Sequence, residues 1–76
     1  MGGKTNESKG NKMKVIPTDV YDKDGNLCRL DFCDSSGEFK FQAEWDPRDE
    51  QTSENRVSFR KWAYHMAKQM GYEVDL

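Results

Sequence analysis

Histidine, proline and cysteine are scarce in this chain, and no stretch of it is both long and apolar. His65 is the single histidine, and the prolines and cysteines number two each in 76 residues. Each shortage excludes something. Cys28 and Cys33 lie five apart in a strand-like run, so an odd separation points them to opposite faces and they cannot bridge. Their spacing also fails as a zinc knuckle, and the one histidine is remote in sequence. Two unbridged thiols suit a reducing compartment such as the cytoplasm. Apolar runs extend only a few residues, against about 20 needed to cross a bilayer, and no segment has the pattern of a signal peptide. Neither sign of charge dominates: 12 basic residues stand against 14 acidic ones, a net charge of -2, so no bulk field selects a partner.

Catalytic patterns are missing too. Gly2, Gly3 and Gly10 fall in a polar tail and the other glycines fall at turns or a helix end, so there is no glycine-rich phosphate loop. No serine or cysteine is placed to force proximity to His65. One sheet and one helix rarely enclose the concave pocket that catalysis requires. The expectation is a non-enzymatic domain that uses no cofactor and no metal.

What the chain does have is aromatic surface, 12% of its residues. A few large rings can support a small core in a sequence of mean hydropathy -1.07. Residues 1–12 carry no apolar side chain after Met1 and read as a disordered tail, with residues 13–76 forming one domain. In KVIPTDVYD, residues 14–22, Ile16, Thr18 and Val20 share one face while Val15, Asp19 and Tyr21 share the other; Pro17 points to an edge strand. Asp24-Gly25 then predicts a hairpin turn. In LCRLDFC, residues 27–33, Cys28, Leu30 and Phe32 alternate with Arg29 and Asp31. Asp34-Ser35-Ser36-Gly37 predicts a second turn. Phe39, Phe41, Ala43 and Trp45 then alternate strictly with Glu38, Lys40, Gln42 and Glu44, a period of two that means a strand with one buried face.

After the polar loop PRDEQT, Thr52 is the expected N-cap of a helix and Gly71 its expected stop. Phe59, Trp62, Ala63, Met66 and Met70 recur every three or four residues, an apolar stripe expected to pack on the sheet. Tyr72 and Val74 are expected to add a final core contact or a short edge strand. The fold class is therefore α+β, a three-stranded antiparallel meander packed on one C-terminal helix.

Asp22-Lys23-Asp24-Gly25-Asn26 begins like a calcium loop, but Leu27 stands where the tight turn needs glycine and Cys33 where a bidentate Glu is needed. A hairpin turn accounts for those residues. Charge, by contrast, is divided along the chain. Residues 14–46 have a net charge of -4 and the loop 47–54 a net charge of -2, while 55–71 hold Arg56, Arg60, Lys61 and Lys68 with no acid. Arg56, Arg60, Tyr64 and Lys68 follow one another at i+4 and form a ridge, with Lys61 and His65 beside it. These five residues, Arg56, Arg60, Lys61, Tyr64 and Lys68, are the expected partner-binding site, suited to an acidic protein surface or to phosphates. The rival surface is the wet sheet face with Asp31, Glu38 and Glu44, which would select a basic partner.

Three strands followed by a helix resembles small DNA-binding domains such as the amino-terminal domains of some phage and transposon integrases. The resemblance is architectural and implies no site residues. Those domains insert a basic sheet into the major groove; a sheet segment of net charge -4 opposes that docking. The leading expectation is a small inhibitor or adaptor that occupies a partner protein, of the kind phages and mobile elements encode. The alternative is a nucleic-acid binder using the basic helix and the lysine-bearing tail.

Overall fold

The computed structural model describes residues 12–76. The expectation of a disordered tail falls on residues 1–12, all but the last of which lie outside the described part. Strand β1 spans Met13–Tyr21, β2 Leu27–Cys33 and β3 Phe39–Glu44; helix α1 spans Ser53–Gln69 and strand β4 Tyr72–Val74. The sheet order is β3-β2-β1-β4. The first three strands form the antiparallel meander, and β4 returns from the helix to lie parallel to β1, through Met13↔Tyr72, Lys14↔Glu73 and Val15↔Val74. Only the upper half of β1 is thus an edge, and Pro17 lies in that half, where its missing N–H costs least.

Both hairpins use one device. Asp22 and Asp34 each sit three residues before a glycine of positive φ, Gly25 at 84° and Gly37 at 92°. The Asp22 carboxylate accepts from the N–H groups of Asp24 and Asn26 at 2.8 and 2.9 Å. The Asp34 carboxylate accepts from the N–H groups of Ser36 and Glu38 and from the Ser36 hydroxyl. Each loop is closed by a bond from the glycine N–H back to the aspartate carbonyl, so the turn is one residue longer than a two-residue Asp-Gly hairpin. The carboxylate that a cation would need at Asp22 is already spent on backbone amides. Those bonds hold the acid below the ordinary carboxylate range, the Asn26 amide most of all.

The core lies between one face of the sheet and α1. Val15, Leu30, Phe32, Ala43, Ala63 and Ala67 form it, with Phe41, Phe59, Tyr64, Tyr72 and Val74 packed around them. On β1, therefore, the core face is the one bearing Val15, and Ile16 is left exposed on the other. Bulges adjust the alternation twice. One falls opposite Val20–Tyr21 and pairs Leu27 with Tyr21, so Leu27 is buried as well as Leu30. The other pairs Phe39 with Cys33 rather than with Asp34, and Phe39 is 52% exposed. The strict alternation of β3 predicts a buried Phe39; the bulge takes it out of phase.

The helix begins and ends at its expected signals. The Thr52 hydroxyl accepts from the Asn55 N–H at 3.0 Å, Glu54 lies in the first turn, and Gly71 has φ 94°. Its buried face differs from the expected stripe. Ala63 and Ala67 are the buried positions, whereas Trp62 and Met70 are about half exposed. Relative to the stripe centred between Phe59, Ala63 and Met66, the helix is turned by roughly 60°, taking about 100° per residue. Two alanines one turn apart allow the helix backbone to approach the sheet closely. A side chain as large as Trp62 at that seam would hold it off, so the helix turns its small residues inward.

Candidate functional site

The turn of the helix redistributes the basic ridge. Arg60 directs its guanidinium to the sheet and bonds the Asp19 carboxylate of β1 at 2.7 Å. That bond holds Asp19 below the ordinary carboxylate range and raises Arg60 further. The Arg56 Nε–H donates to the Gln51 side-chain oxygen at 3.2 Å. Gln51 in turn bonds both the N–H and the carbonyl of Leu27, at 2.9 and 3.0 Å, and so ties the loop before the helix to the start of β2. Tyr64 packs edge-on against Phe32, with centroids 6.4 Å apart. Three members of the ridge therefore meet the sheet or the loop beside it. Lys61 and Lys68 stay exposed, as does His65.

The wet sheet face is paired within itself. The Arg29 Nε lies 2.9 Å from the Asp31 carboxylate, Gln42 donates to Glu44 at 2.8 Å, and Lys40 lies 3.6–3.7 Å from Glu38 and Asp34. Ile16, Cys33 and Phe39 form one row across its end, since Ile16 pairs with Cys33 and Cys33 with Phe39. Both cysteines are free and half-buried.

A different surface results from the displaced stripe. Trp45 is buried, its indole N–H donating to the Asp49 carbonyl at 3.1 Å. Phe59 meets it edge-on with centroids 5.1 Å apart, and Trp62 lies beside Phe59 at 6.0 Å. The three rings make a ladder that starts in the core and ends in solvent, where Trp62 is 50% exposed. Phe59 and Trp62, with Asn55 and Ser58 from the same side of the helix, wall a groove of about 420 Å³. Its other wall carries Glu44, Asp46 and Asp49 from the end of β3 and the loop after it. Asp46 is engaged by Arg48 through a two-pronged pair at 3.1 and 2.8 Å, which lowers its pKa to about 2. A second concavity, of about 360 Å³, lies on the far side of Trp45, between Pro47, Gln51 and the first hairpin.

Sequence reasoning places Phe59 and Trp62 in the core, Asp46 at the end of the third strand, and Asp49 and Glu50 in a plain loop. Asn55, Ser58, Phe59 and Trp62 recur at helical spacing, which is a signal for one shared face; which side of that face is wet is decided by packing. Among the described residues, no group of His, Cys, Asp and Glu is arranged to hold a metal ion, and no helix is long and apolar enough to cross a membrane. Compared with family models, curated proteins and solved structures, the chain matches none.

Proposed function

We propose that this domain is a protein-binding module, an inhibitor or adaptor that acts by occupying its partner. The observation supporting this reading is the half-exposed Trp62, which with Phe59 walls an open groove. Tryptophan left half in water forgoes the burial that a small core needs, and its side chain is the type most enriched among binding hot spots. The groove is open and shallow between two elements, a shape that suits a partner's side chain better than a reaction requiring exclusion of water. The basic ridge supports the reading less directly, because Arg56 and Arg60 are engaged within the domain and only Lys61 and Lys68 face outward.

The test is site-specific crosslinking. A photoreactive residue at Ser58 on the groove wall and, as a control, at Ser36 in the second turn identifies what binds the groove; the affinity of that partner is then measured by calorimetry. Trp62→Ala is expected to weaken binding about thirty-fold, the effect of removing a hot-spot aromatic. Unchanged affinity in Trp62→Ala overturns the assignment of the groove. Binding that collapses steeply with salt and survives the loss of Trp62 indicates a nucleic-acid partner instead.

A further inference from the structure

We infer that the groove beside Trp62 receives a cationic-apolar segment of the partner, an arginine flanked by aliphatic residues; this rests on the reading of the groove as the interface. The lining residues carry three carboxylates, of Glu44, Asp46 and Asp49, and no lysine or arginine. Asp46 is neutralised by Arg48, whereas the Asp49 carboxylate makes no hydrogen bond or ion pair among the described residues. Glu44 alternates with the buried Ala43 and accepts from Gln42 on the outer face of the sheet. The groove is thus bordered by one carboxylate without a partner, that of Asp49, and by an aromatic wall. An acidic side chain entering it would meet like charge and lose its hydration without compensation. An aliphatic side chain would pack on the aromatic wall and leave the rim unanswered.

Arginine answers both walls. Its planar guanidinium stacks on an indole face and at the same time presents N–H groups to carboxylates, while its methylene stem lies on apolar surface. Lysine offers a point charge without the stacking plane. The volume of about 420 Å³ accommodates one such side chain with part of its neighbours rather than a folded element.

The test is a titration of ¹⁵N-labelled protein with three capped tripeptides: acetyl-Leu-Arg-Leu-amide, its citrulline counterpart of the same shape without charge, and acetyl-Leu-Glu-Leu-amide. The arginine peptide is expected to give saturable shifts at the Trp62 indole N–H, with a dissociation constant on the order of 1 mM. The citrulline peptide is expected to bind about five-fold more weakly, and the glutamate peptide not at all. The variant Asp49→Asn is expected to lose about two- to five-fold for the arginine peptide alone, and its spectrum reports directly whether it is folded. Equal shifts from all three peptides, or no saturable change at Trp62 up to about 10 mM arginine peptide, overturn the inference. The two readings fail separately. If a partner depends on Trp62 but arginine is ignored, the interface stands and its cationic occupant falls. If a partner ignores Trp62, the interface itself falls.

Discussion

Two aromatic clusters sit at opposite ends of the same helix–sheet seam, and only one of them is closed. At the closed end Phe32 is fully buried, stacked on Phe41 with centroids 4.4 Å apart and an interplanar angle of 3°. Tyr72 of the C-terminal strand stacks on Phe41, and Tyr64 meets Phe32 edge-on. At the open end Trp45, Phe59 and Trp62 form a ladder of similar spacing that runs outward into water. Ring chemistry is the same at both ends. The difference is β4, which pairs with the first three residues of β1 and covers only one end. Aromatic content by itself therefore does not distinguish rings that hold the fold from rings that are presented.

The comparison is broken most severely at Phe32. Phe32→Ala is expected to cost about 3–5 kcal/mol, because the site is enclosed on all sides and cannot collapse around the cavity. A domain this small has a total stability of about 5 kcal/mol, so the variant is largely unfolded in a urea titration. Next is Ala67, buried where the helix meets the sheet. Ala67→Leu is expected to cost about 1–3 kcal/mol by overpacking. Insertion without cost would mean that the seam has space to spare, contrary to the close approach described above.

At the open end the expected loss is smaller. Trp62→Ala removes a ring that is already half in water, and alanine is the better helix former by about 0.5 kcal/mol. The net cost is expected to be about 1 kcal/mol, with the near-ultraviolet signature of Trp45 retained. A cost as large as that of Phe32→Ala would place Trp62 in the core and remove the contrast between the two ends.

How far the sequence reveals this division follows from what each signal measures. Alternation along Leu30–Phe32 and Phe41–Trp45 identifies the strands and their buried face, since period two depends only on local geometry. Thr52 and Gly71 mark the helix ends because capping is also local. The bulges are not legible: Phe39 follows the alternation perfectly and still faces water, owing to an extra residue opposite Cys33. Nor is the helix rotation. Ala63 belongs to the expected stripe and is buried, but Trp62 and Met70 carry more apolar surface than Ala67, and yet Ala67 is the buried one, because the seam selects for small volume. That displacement hides the groove and gives the arginine ridge its apparent freedom. Charge counts show Arg60 without an acid on its own helix, while its acid lies on β1, 41 residues away in sequence.

The smallest expected effect concerns that pair, which raises the question of what holds the helix where apolar burial is thin. Arg60 and Asp19 have side chains 28% and 34% exposed, so solvent screens their attraction. The bond at 2.7 Å is short and charge-assisted, and a contribution of about 0.5 kcal/mol at neutral pH is appropriate. Its pH dependence has a definite sign. The folded pKa of Asp19 lies below its ordinary value of 3.8, chiefly through the Arg60 hydrogen bond. The contribution is therefore fully present above the unfolded value and is lost as pH falls through the folded one. Arg60→Gln is expected to lower stability by about 0.5 kcal/mol at neutral pH, and the difference from the native sequence should shrink steadily below about pH 4. Paired urea titrations across that range measure it. A difference that stays constant down to low pH would mean that Arg60 acts through the packing of its stem on the sheet and not through Asp19. The open end of the helix would then be held by contact alone, as the closed end is.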